Sequence, residues 1–403
     1  MERSKIVSAF TYSEIQLEEN SIKAFNRDSR QSSSYRVYDG GFAGTQYIQG
    51  KSEDEEGYRK ARENLAFKRP YKFALETGTR HRDKTEVQYT DKELMELARS
   101  AVDYLTAHHP DFTFGGSVSG EKRTLTMQNS AGLDYSNTDC TTSINIVFKH
   151  KDSKDINDGW FGIGQRTFDF KKFTDMADNY LTNFTNIVRL PEELIIQKQY
   201  YEYLSKLNEC LDAENLSLGT SLLSGRLGEK VFSDSFTLLN DVSDGECWHT
   251  PFFDGEGVVL PDDRYTFIEN GVVLSGYADK FTADKYGVPA TASAGMNLAD
   301  LPRNGFVNFR IKRSEKTVKE LLDGRLTIVP IRAAGGGFND KGEYVTPVQT
   351  AMLCDGERFI GRVPEFAMKG SMFEMFGSGF IGVGSDDPVF NDKQILVKMS
   401  YSK

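Results

Sequence analysis

The sequence RTLTMQNSAGLDYSNTDCTTSINIVF, residues 123–148, contains two runs in which polar and apolar residues alternate. Leu125 and Met127 mark the first run, and the second begins at Ile144. A period of two is the period of a half-buried strand, and the tetrad NSAG at residues 129–132 is rich in turn-forming residues. This stretch therefore predicts two neighbouring strands of one sheet, joined by a turn.

The segment from Tyr12 to Tyr47 extends this sheet toward the N-terminus, because it also alternates polar and apolar residues. Its pattern predicts an antiparallel meander with turns at Asn20 and within Asn26 to Ser34. The glycine cluster at residues 40–44 closes the segment, and its spacing does not match a dinucleotide-binding loop. A tight turn or bulge is therefore favoured there over a phosphate cradle.

Three helices are predicted in the same part of the chain. Ser52, followed by acidic residues, is expected to cap the first helix. Thr90 and Glu93 have the spacing of a capping box, and apolar residues at helical spacing follow them. A third helix is expected from Phe170 to Phe184, where apolar residues again recur with the helical period.

Pro191 marks a plausible boundary, because the residue before a proline disfavours helical geometry. A short strand at Leu194 to Ile196 and a helical stretch from Lys198 to Ala213 follow. Beyond Leu222 the pattern is one of short strands and glycine turns, with one small helix capped by Ser314. We therefore predict an α+β protein.

The chain is long enough for two domains, since 403 residues exceed the roughly 250–300 at which a single core stops growing. Residues 1–190 are predicted to form an N-terminal α/β domain with an antiparallel sheet and helices. Residues 191–403 are predicted to form a C-terminal β-rich domain of short antiparallel strands.

Composition and charge exclude several classes of function. The net charge of −10 disfavours direct binding to nucleic acid. The first twenty residues do not form a signal peptide, and no run reaches the roughly 18–20 apolar residues of a membrane helix. The four cysteines contain no C-x-x-C pair, which is typical of reduced thiols. We expect a cytoplasmic protein without a membrane partner.

The residues alone supply no complete catalytic or metal-binding set. His249 lies two residues after Cys247, and together they could bind a soft metal if two more ligands came from elsewhere. No G-x-S-x-G motif occurs, and the glycines at 335–337 are more typical of a turn than of an oxyanion loop. Acid pairs such as Asp254 and Glu256 are ordinary turn residues by themselves. The residues therefore define a fold class and no reaction.

Several stretches of the chain share the order and spacing of one family. They are RVYDGGFAG (36–44), NSAG (129–132), GTSLLSGRLGE (219–229), TPFFDGEGV (250–258), FIENGVV (267–273), ADKYG (283–287), KGSMFEMF (369–376) and IGVGSD (381–386). Together they resemble the TldD/PmbA family, whose founding members are called modulators of DNA gyrase or peptide-maturation proteases. The resemblance covers nearly the whole chain and implies a metallopeptidase-like C-terminal domain.

The resemblance also implies which residues correspond to the zinc site of the family's protease subunit. That subunit, the TldD type, binds zinc through H-E-x-x-x-H and a cysteine near its C-terminus. The equivalent positions here are Leu204, Ser205 and Glu209, and residues 386–403 contain no cysteine. The chain therefore resembles most the PmbA (TldE) type, which lacks the motif. No cofactor is expected in this chain, and zinc is expected in a TldD-like partner.

The candidate peptide-binding or interface residues are acidic and glycine positions of the matching stretches. They are Asp254, Glu256, Gly257, Glu269, Gly271, Gly384 and Asp386. No catalytic residue is assigned. The first strand begins close to residue 1, so the helix that usually opens the family's chains is expected to be absent or short.

Three functions remain open at this stage. The first is a non-catalytic PmbA/TldE-like subunit that assembles with a TldD-like zinc metallopeptidase and encloses extended or unfolded peptides. The second is a peptide- or protein-binding adaptor, similar to a gyrase modulator, without any protease. The third is a metallopeptidase with a relocated site that uses His249, Cys247 or Glu209. Whether the chain is an enzyme is therefore undecided, and a homodimer is possible for the chain alone.

Overall fold

The N-terminal part of the chain forms one large sheet with three helices on it. The computed structural model describes residues 1–243, 245, 247–333, 335–390 and 393–402. The elements up to residue 190 are β1 (Glu2–Glu18), β2 (Ser21–Asp39), β3 (Phe42–Gln49), α1 (Asp54–Glu63), β4 (Arg69–Pro70), β5 (Gly78–Asp83), α2 (Asp91–His108), β6 (Phe112–Asn129), β7 (Leu133–His150), β8 (Gly159–Gln165) and α3 (Phe170–Leu181).

The β6–β7 hairpin is the centre of this sheet and confirms the prediction for residues 123–148. Arg123 pairs with Asp139 in an antiparallel ladder that runs back from the turn. In the turn, the Asn129 side-chain oxygen accepts hydrogen bonds from the backbone N–H of Ala131, at 2.8 Å, and of Leu133, at 3.1 Å. The strand order is β4-β3-β2-β1-β6-β7-β5, and β8 also pairs with β7. Because β5 is parallel to β7, the sheet is mixed at that edge.

The strands of the N-terminal meander are longer than predicted. Its first turn is at Glu19 and Asn20, which both have positive φ, as a two-residue hairpin turn requires. The predicted turn within Asn26 to Ser34 is wrong, because those residues lie inside β2 and pair with β1. The second turn falls instead at Gly40 and Gly41, where φ is 56° and 82°. The composition of residues 26–34 is typical of a turn, because serine and asparagine are common in turns.

Helix α2 begins at the predicted capping box. The Thr90 side chain accepts from the Glu93 backbone N–H, and the Glu93 carboxylate accepts from the Thr90 N–H. The predicted cap of helix α1, Ser52, is wrong. Glu53 occupies the cap position, and the Ser52 hydroxyl forms a hydrogen bond with the Tyr35 hydroxyl at 2.8 Å.

The small helix α7 (Val318–Leu322) starts later than predicted. Thr317 caps it, with a capping box to Glu320, whereas Ser314 was the expected cap. It ends at Asp323 and Gly324, and both residues have positive φ. Threonine followed by glutamate at the third position therefore marks both capping boxes.

Replacing Thr90 with alanine is expected to lower the free energy of unfolding by about 1 kcal/mol, because the Glu93 backbone N–H loses its acceptor. Urea denaturation measures this loss. Thr106→Ala is the matched control, since Thr106 is exposed in the last turn of the same helix. A smaller loss for Thr90→Ala than for Thr106→Ala would show that the box adds no stability.

The C-terminal part is built from short strands and small helices, as predicted. Its elements are β9 (Leu194–Gln199), α4 (Tyr201–Cys210), α5 (Ala213–Leu218), β10 (Leu238–Asp241), β11 (Arg264–Glu269), β12 (Val272–Val273), α6 (Lys280–Tyr286), β13 (Phe309–Ile311), α7, β14 (Thr327–Ala333), β15 (Gly337–Phe338), β16 (Glu343–Cys354), β17 (Phe359–Val363), β18 (Phe366–Ser371), α8 (Met372–Phe376), β19 (Phe380–Val383) and β20 (Gln394–Ser402). The predicted helical stretch at residues 198–213 is thus α4 and the start of α5.

Two sheets organise these strands. A four-stranded sheet has the order β12-β11-β10-β13, and a larger one has the order β14-β9-β20-β18-β16-β15, with β17 on β16 and β19 on β20. The mostly antiparallel strands, with helices beside them, confirm the α+β class.

One hydrophobic cluster crosses the predicted boundary at residue 190. Ile144 and Phe173, from the N-terminal part, are buried in the same cluster as Val329 and Met352, from β14 and β16. The two parts therefore share a core. The division into residues 1–190 and 191–403 stays a prediction.

The four cysteines are buried and unpaired. Among the described residues, no helix combines the length and the apolar character that crossing a bilayer would take.

Candidate functional site

The positions that the sequence resemblance assigns to the zinc ligands of the TldD type lie on α4 and make contacts within the fold. Leu204 is 4% exposed and belongs to the main hydrophobic cluster. The Ser205 hydroxyl donates to the Glu202 carbonyl oxygen at 2.8 Å. The Glu209 carboxylate accepts from the ammonium of the nearly buried Lys206 at 2.8 Å. Because a zinc site needs three protein ligands, these side chains do not fit the metal.

The alternative pair, Cys247 and His249, does not converge on one point. The Cys247 thiol donates to the backbone oxygens of Asp241 and Ser243, whereas His249 Nε2 lies 2.8 Å from the Thr141 hydroxyl. Glu246, which directly precedes Cys247, lies outside the described residues. Within the described ranges, no three or more histidine, cysteine, aspartate or glutamate side chains are grouped as metal ligands.

The acidic turn DGEG at residues 254–257 is buried and closely fixed. The Asp254 carboxylate accepts hydrogen bonds from the backbone N–H of Glu256 and Val258, both at 2.9 Å, and of Ala294 at 3.0 Å. Gly257 has a φ of +82°, and a Cβ there would meet the Leu133 side chain at 2.9 Å. Asp254 therefore holds the turn and does not face the solvent.

Arg36, near the C-terminal end of β2, holds this turn against the N-terminal sheet. Its guanidinium donates to the Gly255 carbonyl oxygen at 2.9 Å and to the Asn297 carbonyl oxygen at 2.9 Å. The side chain is only 1% exposed. A residue of the N-terminal part thus sets the position of the acidic turn in the C-terminal part.

Glu256 is the acid of the turn that faces a cleft. The cleft has a volume of about 580 Å³ and lies between the 69–71 segment, helix α6 and residues 300–304. The Glu256 carboxylate accepts from the Lys280 backbone N–H at 3.0 Å, and the Tyr71 hydroxyl lies beside it. Asp279 and the exposed ring of Phe281 also line the cleft. The wall therefore combines carboxylates with an aromatic surface.

Burial changes the acidity of the turn. It raises the pKa of Glu256 to about 7, and the neighbouring Asp254 carboxylate adds to this effect. Burial also raises the pKa of Asp254 to about 6, although its three amide donors oppose the rise. Burial, with a smaller contribution from Glu256, raises the pKa of the Tyr71 hydroxyl. Glu256 can therefore exchange a proton near neutral pH, as is common for groups at functional sites.

Glu269 and Gly271 lie in a different place, at the β11–β12 turn. Glu269 is exposed, and Gly271 has a φ of +81°. A Cβ on Gly271 would lie 2.3 Å from the Phe232 carbonyl oxygen. Close backbone approach explains this glycine without a ligand.

Gly384 and Asp386 lie at the start of helix α7. The Asp386 carboxylate accepts from the Val318 backbone N–H at 2.7 Å, and a Cβ on Gly384 would meet the Val318 side chain at 2.6 Å. The seven candidate residues therefore occupy three surroundings. Of these residues, only Glu256 lines the cleft, and Asp254 and Gly257 belong to the same turn.

Sequence reasoning missed Tyr71, Asp279 and Arg36. Tyr71 directly follows the two-residue strand β4, which has no recognisable sequence pattern. Asp279 is the cap of α6. Neither residue therefore gave a local signal for a functional site. Arg36 did give one, because it is a charged residue inside an otherwise apolar strand end. A charge at an inward strand position indicates a buried partner.

Comparisons with known proteins identify the C-terminal part. Residues 198–396 match the family described as PmbA/TldA metallopeptidase C-terminal domain. An uncharacterized protein of Methanocaldococcus jannaschii is 24% identical, with 90% of this chain and 86% of that protein covered. A protein of Methanothermobacter thermautotrophicus named metalloprotease is 29% identical, over 45% of this chain and 39% of its own length.

Solved structures share the fold over nearly the whole chain. TldE from Thermococcus kodakarensis superposes with a TM-score of 0.79 at 18% identity, covering 99% of this chain and 96% of that one. A Thermotoga maritima protein, provisionally described as a modulator of a DNA gyrase, gives the same TM-score and identity, with 99% and 95% covered.

The fold and the matched region define an α+β protein with a metallopeptidase-like C-terminal region and a buried acidic turn. The C-terminal region, residues 198–396, matches the TldD/PmbA family, and a relative that shares part of the chain is named metalloprotease. The resemblance seen in the sequence is thereby confirmed.

Proposed function

We propose that the chain is a non-catalytic subunit of the PmbA/TldE type, which assembles with a TldD-like zinc metallopeptidase and helps to enclose extended or unfolded peptides. The observation that carries the proposal is the environment of Leu204. This side chain fills the core at the position where the protease subunit would hold a zinc ligand. Helix α4 thus has a structural use that excludes ligation from this position.

The acidic turn supports a binding role. A buried Glu256 is costly to maintain, since a carboxylate loses its hydration when it is removed from water. The cleft beside it combines carboxylates with the ring of Phe281, which is 56% exposed. Such a wall suits a peptide segment that carries a basic or amino-terminal group next to an apolar side chain.

The test is reconstitution with a TldD-like protein from the same cell. The chain alone is expected to be a homodimer without peptidase activity. The mixture is expected to give a larger, chelator-sensitive peptidase that cleaves an unfolded peptide. Light scattering after size exclusion, together with a cleavage assay, measures both outcomes. Separate elution at micromolar concentration, with unchanged partner activity, would contradict the companion-subunit proposal and favour the adaptor.

Two variants connect the reconstituted activity to the cleft. Glu256→Gln is expected to weaken peptide capture, while Glu269→Gln, an exposed carboxylate on the β11–β12 turn, is the matched control. Elemental analysis addresses the third hypothesis. About one tightly bound zinc per chain would favour a relocated metallopeptidase site over a non-catalytic subunit.

A further inference from the structure

A second cavity lies under the start of helix α2, on the opposite side of the N-terminal sheet from the acidic turn. Its volume is about 410 Å³. Strands β1, β6 and β7 form its floor, and residues 88–94 form its roof. The Leu94 side chain packs on Gly120 in the floor, where a Cβ would meet it at 3.0 Å.

One buried polar group of the cavity floor has no hydrogen-bond partner among the described residues. Thr142 lines the cavity floor and is 1% exposed, and its hydroxyl makes no hydrogen bond to any described residue. An unsatisfied buried hydroxyl costs about 1–3 kcal/mol. Thr142 pairs in register with Gly120, so no neighbouring side chain on that strand covers it. The hydroxyl is therefore an unsatisfied donor at the cavity floor.

The charges around the cavity favour an anionic group. Lys122 lies on the floor and donates to the neutral Gln88 amide oxygen at 3.1 Å, and the described residues place no carboxylate within ion-pair distance of it. Asp91 is neutralised by Arg27 at 3.0 Å. Glu121 also lines the cavity, and its carboxylate contacts Arg123 and His249.

Cross-strand geometry brings Lys122 and Thr142 within reach of one small ligand, since diagonal neighbours on a sheet are about 7–8 Å apart. The ring of Tyr89 and the Leu94 side chain provide an apolar wall above them.

We propose that this cavity binds a small organic carboxylate, with Lys122 contacting the carboxylate and the Thr142 hydroxyl donating a hydrogen bond to it. The carboxylate can come from a free amino acid or from the C-terminus of a peptide. This site is independent of the acidic cleft and of the companion-subunit proposal.

Calorimetric titration of the full chain tests the site with four probes: sodium acetate, L-leucine, and N-acetylated tetra-alanine with a free or an amidated C-terminus. Binding of L-leucine alone identifies a free amino acid, and binding of the free-ended peptide identifies a peptide C-terminus. Either result supports the carboxylate site. Equal binding of the amidated peptide, or no heat from any probe up to about 10 mM, overturns it.

Two variants test the contacts. Thr142→Val and Lys122→Met are each expected to weaken binding at least tenfold, whereas Lys149→Met, farther along β7, leaves it unchanged. Without ligand, Thr142→Val is expected to be as stable as the parent or more stable, since it removes an unpartnered buried hydroxyl. Unchanged affinity in a folded Thr142→Val or Lys122→Met variant contradicts the assignment.

Discussion

Replacing Arg36 with methionine is expected to lower the free energy of unfolding by about 3–5 kcal/mol. Arg36 is buried and donates to the Gly255 and Asn297 carbonyl oxygens. Methionine keeps much of the side-chain volume but leaves both carbonyl groups without a donor. The loss exceeds that of an ordinary surface substitution because unsatisfied buried acceptors retain their full desolvation cost.

Urea denaturation of Arg36→Met measures this effect, with Arg30→Met as its control. Arg30 lies on the same strand, is exposed, and pairs only with Asp28 at 2.6 Å. An exposed ion pair contributes at most about 1 kcal/mol. Arg36→Lys is expected to recover part of the stability, because one ammonium cannot reproduce the fork of a guanidinium. A loss below about 1 kcal/mol for Arg36→Met would contradict this role.

Replacing Glu256 with glutamine is expected to remove a large pH dependence of stability. Burial raises the pKa of Glu256 from 4.5 to about 7, so the native state holds its proton more tightly than the unfolded state does. The stabilisation that this gives is fully present below pH 4.5. It is lost as pH rises through about 7, where the native carboxyl ionises.

The shift of about 2.5 pH units corresponds to about 3 kcal/mol, so Glu256→Gln should be more stable than the parent at pH 8 by up to that amount. Denaturation at pH 5 and pH 8 measures the difference, and the exposed Glu269→Gln serves as control. Asp254→Asn should act in the opposite direction at pH 8, because an amide cannot accept all three N–H donors. Parallel pH profiles for parent and Glu256→Gln would show that Glu256 titrates normally.

Local chemistry explains which elements could be predicted from the sequence. The β6–β7 hairpin and the start of α2 depend on residues within a few positions of each other, as in the Asn129 turn and the Thr90–Glu93 box. The turn placed within Asn26 to Ser34 failed for a non-local reason. Those polar residues are held in β2 by pairing with β1, and composition does not reveal such pairing.

The candidate site was only partly predictable, because its parts come from distant segments. The DGEG turn was visible as a motif, but its orientation depends on Arg36, 219 residues earlier. Tyr71 and Asp279 meet Glu256 only after both parts of the chain have folded together. The sequence alone therefore predicted only the DGEG turn among the parts that form the cleft.

The hydrophobic cluster shared by both parts of the chain limits how the cleft can move. One wall of the cleft, residues 69–71, is attached to the N-terminal sheet, and the other wall, α6, belongs to the C-terminal part. Hinge rotation of one part against the other would have to pull Ile144 and Phe173 away from Val329 and Met352. Exposing that cluster would cost several kcal/mol of apolar burial. The cleft should therefore behave as a preformed, rigid receptor that admits a ligand without domain closure.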